Sequence, residues 1–282
     1  TLVPPAMAYS YKCLLVSDIG DGVFHVQLNR PKKMNAINLE IWDEIGDVFS
    51  KLDIDSNCRA VILSGNGRAF STGIDVESLT SALSGIEEED VARKARQLLR
   101  LINKMALPFT LIEKCCKPVI AAMHAYCLGI ALDITTACDI RYCTKETEFA
   151  VKEVALGVAS DVGVLNRLPK IVGNHSWMRE AAMTGRHFRA PEALEQGLVS
   201  KVCDSYDQLM AAAKETARTI ATSSPVAVQG TKIVLNYARD HSVDESLRYV
   251  ALWNMSQLQT NDIGESAVAV MTKGPKPNYS KL

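Results

Sequence analysis

Runs of apolar residues in the first half of the chain have two spacings, and each spacing predicts a different kind of element. Residues 23–28 alternate apolar and polar side chains, which predicts a strand with one buried face. Residues 59–64 and 119–123 are largely continuous apolar runs, which predict buried strands. The segments between these runs carry apolar side chains at helical spacing. This alternation predicts an α/β fold with a mainly parallel sheet.

Polar residues mark where several of the predicted helices begin. Asn38 precedes the helical pattern of residues 41–52, and an asparagine side chain accepts well from the first N–H groups of a helix. The acidic run 87–90 precedes a helical pattern over residues 91–105 and is typical of a solvated helix start. Ser224, followed by proline, has the same character. These signals predict helix boundaries but no chemistry.

The pattern changes after residue 165. Short apolar segments at 140–143 and 149–151 predict the last strands, and almost everything beyond them has helical spacing. The helices are predicted to begin near residues 176, 191, 207, 225, 242 and 261. We therefore predict an α/β core over residues 8–200, which carries the active site, and a helical region over residues 201–282. Apolar stripes in the helical region are typical of core or subunit packing.

The stretch from Pro118 to Asp139 is the one around which the chain is organised. An apolar strand is followed by Gly129, which permits an unusual turn, and then by a helical apolar pattern. Asp133 is its only charged residue before Asp139. A helix start offers unpaired N–H groups to negative charge, and a carboxylate in apolar surroundings needs a partner or a raised pKa. The sequence leaves two interpretations of Asp133 open: a working acid, or a core acid satisfied by backbone donors.

A second apolar run, residues 152–163, contains two further acids. Glu153 and Asp161 are its only carboxylates. Paired carboxylates suit proton transfer, because one accepts a proton while the other donates. The spacing alone also allows structural roles. Asp161 stands where an N-cap is expected before a helix, and Glu153 has a candidate ion-pair partner in Lys152.

Composition excludes several classes of function. The chain has 282 residues with Lys+Arg 31 against Asp+Glu 32, so charge gives no case for binding nucleic acid or an anionic membrane. Its eight cysteines and five histidines form no zinc-binding pattern, and we expect reduced core cysteines and no metal. The apolar stretch around Asp133 is too interrupted to predict a membrane span.

The ends of the sequence carry predictions about location. No secretory signal is recognised, and residues 1–6, ahead of Met7, are interpreted as a leader or as foreign to the native chain. Ser280, Lys281 and Leu282 form the tripeptide that the peroxisomal import receptor binds. We therefore expect the matrix of a peroxisome or a peroxisome-derived organelle.

Three motifs in order resemble the enoyl-CoA hydratase/isomerase (crotonase) superfamily. They are Asn29-Arg30-Pro31 with Asn35-Ala36, the turn Phe70-Ser-Thr-Gly-Ile-Asp75, and the turn Gly129-Ile-Ala-Leu-Asp133. The resemblance covers nearly the whole chain from about Tyr11. It implies a spiral of ββα units with a helical C-terminal trimerisation region, and assembly as a homo-trimer or as a hexamer of two trimers.

The acids imply which member of the superfamily this chain is similar to. Hydratases carry glutamates at the positions of Asp133 and Glu153, and no acid near Asp161. The resemblance therefore implies isomerisation of a 3,5-dienoyl-CoA to the 2,4-dienoyl-CoA in β-oxidation, with Glu153 acting at carbon 2 and Asp161 at carbon 6. Asp133 is the implied third acid, which sets protonation states. The alternatives are a hydratase, a delta(3)-delta(2)-enoyl-CoA isomerase, or a non-catalytic acyl-CoA-binding protein.

The resemblance also implies how the thioester is held. The amides of Ile74 and Ile130 are the implied oxyanion hole, and Ile130 departs from the glycine that related sequences usually carry. Arg30, Lys32 and Lys33 are candidates for the coenzyme A phosphates. No metal or redox cofactor is expected, because coenzyme A belongs to the substrate. The implied substrate-binding residues are Thr72, Gly73, Ile74, Asp75, Val76 and Ile130.

Overall fold

The computed structural model describes residues 7–86 and 88–282, so the interpreted leader and Glu87 of the acidic run lie outside the described residues. The strands are β1 (Leu14–Asp18), β2 (Val23–Leu28), β3 (Ala60–Gly65), β4 (Val119–Met123), β5 (Tyr126–Leu128), β6 (Ile140–Thr144), β7 (Glu148–Ala150), β8 (Phe188–Arg189) and β9 (Lys201–Cys203). The helices are α1 (Leu39–Ile54), α2 (Val76–Ser84), α3 (Val91–Lys114), α4 (Ile130–Thr136), α5 (Val164–Ile171), α6 (His175–Thr184), α7 (Ala190–Glu195), α8 (Tyr206–Ala221), α9 (Pro225–Ala238), α10 (Val243–Gln257) and α11 (Asp262–Thr272).

The main sheet has the strand order β1-β2-β3-β4-β6-β9. All neighbouring pairs are parallel except β1 with β2, which confirms the predicted mainly parallel sheet. Strands β3 and β4 are buried along their whole length, as their continuous apolar runs predict. The antiparallel edge strand β1 was not predicted, because most of its residues face outward and carry no apolar alternation.

A second, smaller sheet has the order β5-β7-β8. Strand β5 pairs parallel with β7, and β7 pairs antiparallel with β8. The strands β5 and β8 were not predicted, because two or three residues are too few to show a periodic hydrophobic pattern. This small sheet positions the site, because α4 begins two residues after β5 ends.

The helices α1 and α3 cover one face of the main sheet. Asn38 caps α1 as predicted, its Oδ1 accepting from the Ile41 N–H at 3.1 Å. The indole of Trp42 packs on Phe109 with ring centroids 5.3 Å apart. The predicted end of α3 at residue 105 is wrong, since α3 continues through Pro108 to Lys114. Burial of the helix beyond the proline, at Phe109 among others, outweighs the hydrogen bond that the proline cannot donate.

The opposite face of the sheet is covered by α8. Its buried residues Leu209, Ala213 and Ala217 share one apolar cluster with Ile62 and Ile120 of the central strands. The predicted division at residue 200 therefore passes just before β9 and α8, both of which pack with the sheet. The helices α9, α10 and α11 follow, and α9 packs against α10.

Candidate active site

Two glycine turns meet at the end of the small sheet. Ser71 donates its N–H to the Tyr126 carbonyl at 2.9 Å and accepts from the Leu128 N–H at 3.2 Å, so the two chain segments run side by side. Gly73 has φ 99°, and a Cβ on it would lie 2.8 Å from the Leu128 oxygen and 3.9 Å from the Gly129 Cα. Only glycine permits this approach, which brings the turns at Gly73 and Gly129 into contact.

Each turn presents an unpaired backbone N–H group. The amides of Ile74 and Ile130 donate to no protein acceptor within residues 7–86 and 88–282. The bond from the Ile37 N–H to the Gly73 oxygen (2.8 Å) fixes one turn, and the bond from the Gly129 N–H to the Ala150 oxygen (2.8 Å) fixes the other. Two free donors on adjoining turns, one of them at the start of α4, can stabilise an oxygen that acquires negative charge.

Asp133 lies in the core, one turn of α4 beyond the Ile130 amide. Its Oδ1 accepts from the Val164 N–H at 2.5 Å and from the Ser160 hydroxyl at 3.3 Å. Its Oδ2 is buried and has no partner among the described groups. Burial, and secondarily the charge of Glu153, raise the pKa of Asp133 to about 8. The interpretation of Asp133 as a core acid satisfied by backbone donors therefore holds for Oδ1, whereas Oδ2 has no partner among the described groups.

Glu153 stands over the Gly129 turn. Its Oε1 lies 3.1 Å from the position that a Cβ on Gly129 would take, and its buried Oε2 has no partner in the described part of the chain. Burial raises the pKa of Glu153, and the charge of Asp161 adds to that effect. Lys152 does not pair with it, because the lysine ammonium donates to the Gly185 carbonyl at 3.0 Å instead.

Asp161 lies on the loop that leads into α5. The residue is exposed, yet the protein around its carboxyl group removes enough water to raise its pKa. The N-cap interpretation is wrong: α5 begins at Val164 after Gly163, and the oxygen that receives the Val164 N–H belongs to Asp133. No sequence rule finds this cap, because the two residues are 31 positions apart.

An apolar cavity of about 650 Å³ lies beside Glu153. Glu153 and Ser160 line it, while Asp161 stands outside the lining. Helical periodicity predicted α6 but not its contribution to this wall, which depends on how α6 packs beside α5. The apolar part of the wall includes Val154, Val158, Leu165, Met178, Ala182 and Met183.

The remaining predicted substrate-binding residues surround the first turn. Thr72 donates its N–H to the Met34 oxygen at 3.2 Å, and Val76 is exposed at the start of α2. Asp75 forms an ion pair with Arg30 at 3.0 Å, which lowers the pKa of Asp75. Arg30 is therefore engaged inside the protein, whereas Lys32 and Lys33 remain exposed beside the turn.

Three further features concern the cysteines, metal binding and the membrane. All eight cysteines are free thiols, and seven of them are buried, as predicted for reduced core residues. In the described residues, no group of three His, Cys, Asp or Glu side chains converges as metal ligands. None of the described helices combines the length and apolar character that crossing a membrane requires.

Comparison with known proteins decides the family. The enoyl-CoA hydratase/isomerase family model matches residues 18–279. The chain belongs to the enoyl-CoA hydratase/isomerase family. A structure of enoyl-CoA hydratase from Bacillus anthracis superimposes with a TM-score of 0.85 at 26% identity, covering 95% of this chain and 99% of that one. This match confirms the predicted crotonase fold.

Two curated relatives are more similar in sequence. The mitochondrial Delta(3,5)-Delta(2,4)-dienoyl-CoA isomerase of Mus musculus is 50% identical over 97% of this chain and 84% of the relative. The peroxisomal Delta(3,5)-Delta(2,4)-dienoyl-CoA isomerase of Arabidopsis thaliana is 43% identical over 97% of this chain and 99% of the relative. The relatives' names therefore agree on an activity and differ in organelle.

Proposed function

We propose that this chain is a delta(3,5)-delta(2,4)-dienoyl-CoA isomerase of unsaturated fatty-acid β-oxidation. The observation that carries the proposal is a pair of carboxylates, Glu153 and Asp161, that form no ion pair within the described residues and lie close enough for the charge of Asp161 to raise the pKa of Glu153. Glu153 adjoins the Gly129 turn, which precedes one of the two unpaired amides. The names of the relatives at 50% and 43% identity support the same activity.

In the proposed mechanism the thioester oxygen accepts from the Ile74 and Ile130 N–H groups. Glu153 removes a proton from carbon 2, and the electron pair moves into the thioester to form an extended enolate. Return of the electrons along the chain forms the 2,4-diene when Asp161 delivers a proton to carbon 6. One proton leaves and one arrives, so the reaction is redox-neutral and we propose no cofactor.

Asp133 contributes through its protonation state. With a pKa of about 8 it is largely neutral at pH 7, so it adds no second full charge beside Glu153 when Glu153 ionises. Because the charge of Glu153 favours the protonated form of Asp133, Glu153 can ionise and stay available as a base. Asp133 is therefore proposed as the third acid of the site.

The decisive experiment follows ultraviolet absorbance as a purified sample is given a 3,5-dienoyl-CoA. We expect formation of the conjugated 2,4-dienoyl-CoA, and we expect Asp161→Asn to remove most of the activity. Unchanged turnover in Asp161→Asn contradicts the two-carboxylate mechanism. Strong addition of water to crotonyl-CoA identifies a hydratase instead, and tight binding without turnover identifies a binding protein.

We also propose assembly as a trimer or a hexamer. Exposed apolar residues on α10 and α11 support this, among them Leu247, Leu252, Met255, Val268 and Met271. Analytical ultracentrifugation tests the assembly: a monomer at micromolar concentration contradicts it.

We further propose import into peroxisomes. The tripeptide Ser280-Lys281-Leu282 and the name of the plant relative support this location, whereas the mouse relative is named mitochondrial. Fluorescence microscopy of the chain tagged at its amino end tests it, with a chain that lacks the tripeptide as the control. Mitochondrial signal from the intact chain contradicts the proposal.

A further inference from the structure

A buried arginine stands behind the loop that carries Asp161. Arg167, on α5, is 9% exposed, and its Nη2 donates to the Glu113 Oε2 of α3 at 3.2 Å. The other oxygen of Glu113 accepts from Arg239 at the end of α9. Lys170 and Asp240 extend this chain of charges to the surface, with Nζ and Oδ1 3.5 Å apart. The guanidinium of Arg167 is thus anchored to α3 and linked to the end of α9 through Glu113.

The same guanidinium contacts the turn that begins α5. Its Nη1 reaches the Val162 oxygen at 3.5 Å. It also lies so close to Gly163 that a Cβ on this glycine would be 1.8 Å from Nη1. Gly163 has φ 138°, which L side chains rarely adopt. Only a glycine leaves room for the arginine, so the backbone of the turn rests directly on the guanidinium.

Asp133 also holds the turn, because its Oδ1 accepts from the Val164 N–H at 2.5 Å. Asp161 immediately precedes Val162, the first residue of this turn. The exposed Asp161 is therefore attached to a backbone clamped between one buried acid and one buried arginine. Within the described residues, the Asp161 side chain has no side-chain partner of its own.

We propose that Arg167 is a positioning residue for Asp161, holding the turn Val162–Val164 so that the Asp161 carboxylate meets the distal end of the substrate. This role rests on the proposed isomerase function. It also links the end of α9 to the site through Glu113 and Arg239. Arg167 itself does not contact the reacting atoms.

The test separates the two ends of the reaction. Arg167→Gln and Arg167→Lys are assayed for kcat and KM, and deuterium from D₂O is followed at carbon 2 and at carbon 6. For Arg167→Gln we expect kcat to fall about tenfold to a hundredfold, as for a carboxylate displaced by about 1 Å, with KM little changed. Incorporation at carbon 6 should slow more than exchange at carbon 2. Arg167→Lys should recover part of the loss.

Several outcomes overturn the positioning role. Equal slowing at both carbons in folded Arg167→Gln, checked by circular dichroism, indicates a general structural role, and unchanged kcat indicates no role. An inactive wild-type chain refutes the proposed function instead. Arg218→Gln is the control for loss of an arginine, because Arg218 pairs with Asp21 at the surface.

A second variant tests the contact without altering the arginine. Gly163→Ala places a methyl group where Nη1 lies, so it should reproduce the selective loss at carbon 6. Gly20→Ala is the matched control, because Gly20 has φ 87° and open space around its Cβ position. Selective loss in both glycine variants, or in neither, contradicts the proposal.

Discussion

The two halves of the candidate site are built by different means. The oxyanion half consists of the Ile74 and Ile130 amides on two turns that hydrogen bonds and a glycine contact lock together. The carboxylate half consists of Glu153 and Asp161, of which the first is half-buried and the second exposed, on a short helical turn and a loop. Backbone groups define the first half and side chains define the second.

This difference determines how each half tolerates change. A backbone donor survives any side chain except proline, which explains how isoleucine can stand at position 130 without loss of the donor. A carboxylate depends on its identity and on its surroundings, since burial sets its pKa. We therefore expect the oxyanion half to lose activity when a substitution removes a backbone N–H. We expect the carboxylate half to lose activity when a substitution changes a side chain.

The largest effect is expected from Glu153→Gln. The substitution keeps the shape of the side chain but removes the base, so kcat should fall by roughly 10²–10⁴. Steady-state kinetics with a 3,5-dienoyl-CoA measure it. Glu146→Gln is the control, because Glu146 is exposed and does not line the cavity. A loss smaller than about tenfold shows that another group is the base.

The next effect tests the backbone half through Ile130→Pro against Ile130→Val. Position 130 is the first residue of α4, where proline is accepted in a helix, but proline has no N–H to donate. We expect Ile130→Pro to lower kcat by about 10²–10³, as for loss of one oxyanion donor. Ile130→Val keeps the N–H and should stay near wild type. If both variants retain activity, the Ile130 amide does not hold the oxyanion.

The third effect concerns the stability of the protein and depends on the burial of Asp133. The pKa of Asp133 is about 8 in the folded state against 3.8 ordinarily, so the folded state keeps a proton that the unfolded state releases in this window. The free energy of unfolding should fall as pH rises from about 4 to about 8, with this group contributing on the order of 1.4 kcal/mol per pH unit. Asp133→Asn should flatten that dependence.

Urea unfolding at several pH values between 5 and 8 measures this change. The exposed Asp43→Asn serves as the control, because its carboxylate lies in water in both states. Parallel pH curves for wild type and Asp133→Asn would show that Asp133 is already ionised in the folded protein.

The smallest effect is expected from the exposed lysines beside the first glycine turn. Lys32 and Lys33 are exposed beside the first turn, and replacing both by glutamine should raise KM about twofold to fivefold at low salt with kcat unchanged. The increase should shrink as salt is added, because salt screens exposed charges. A KM that is unaffected at low salt assigns the coenzyme A phosphates to other groups.

Local signals in the sequence determined much of this protein. The buried strands, the Asn38 cap and the Gly129 turn each depend on neighbouring residues, so a single stretch of sequence suffices to predict them, whereas the turn at Gly73 was implied by resemblance. The acids Glu153 and Asp161 stood out for the same reason, as charges in an apolar run. Their roles were suggested by resemblance and remain predictions.

Tertiary structure alone decided the contacts that make a site of these parts. The cap that Asp133 supplies to α5, the ion pair of Arg167 with Glu113 and the adjoining turns at Gly73 and Gly129 each join distant positions of the chain. Hydrophobic periodicity says which side of an element is buried but not which element it will meet. The burial of a side chain and the lack of an acceptor for an N–H group both depend on how the elements pack together. The pKa of Asp133 and the unpaired amides of Ile74 and Ile130 are therefore properties of the fold.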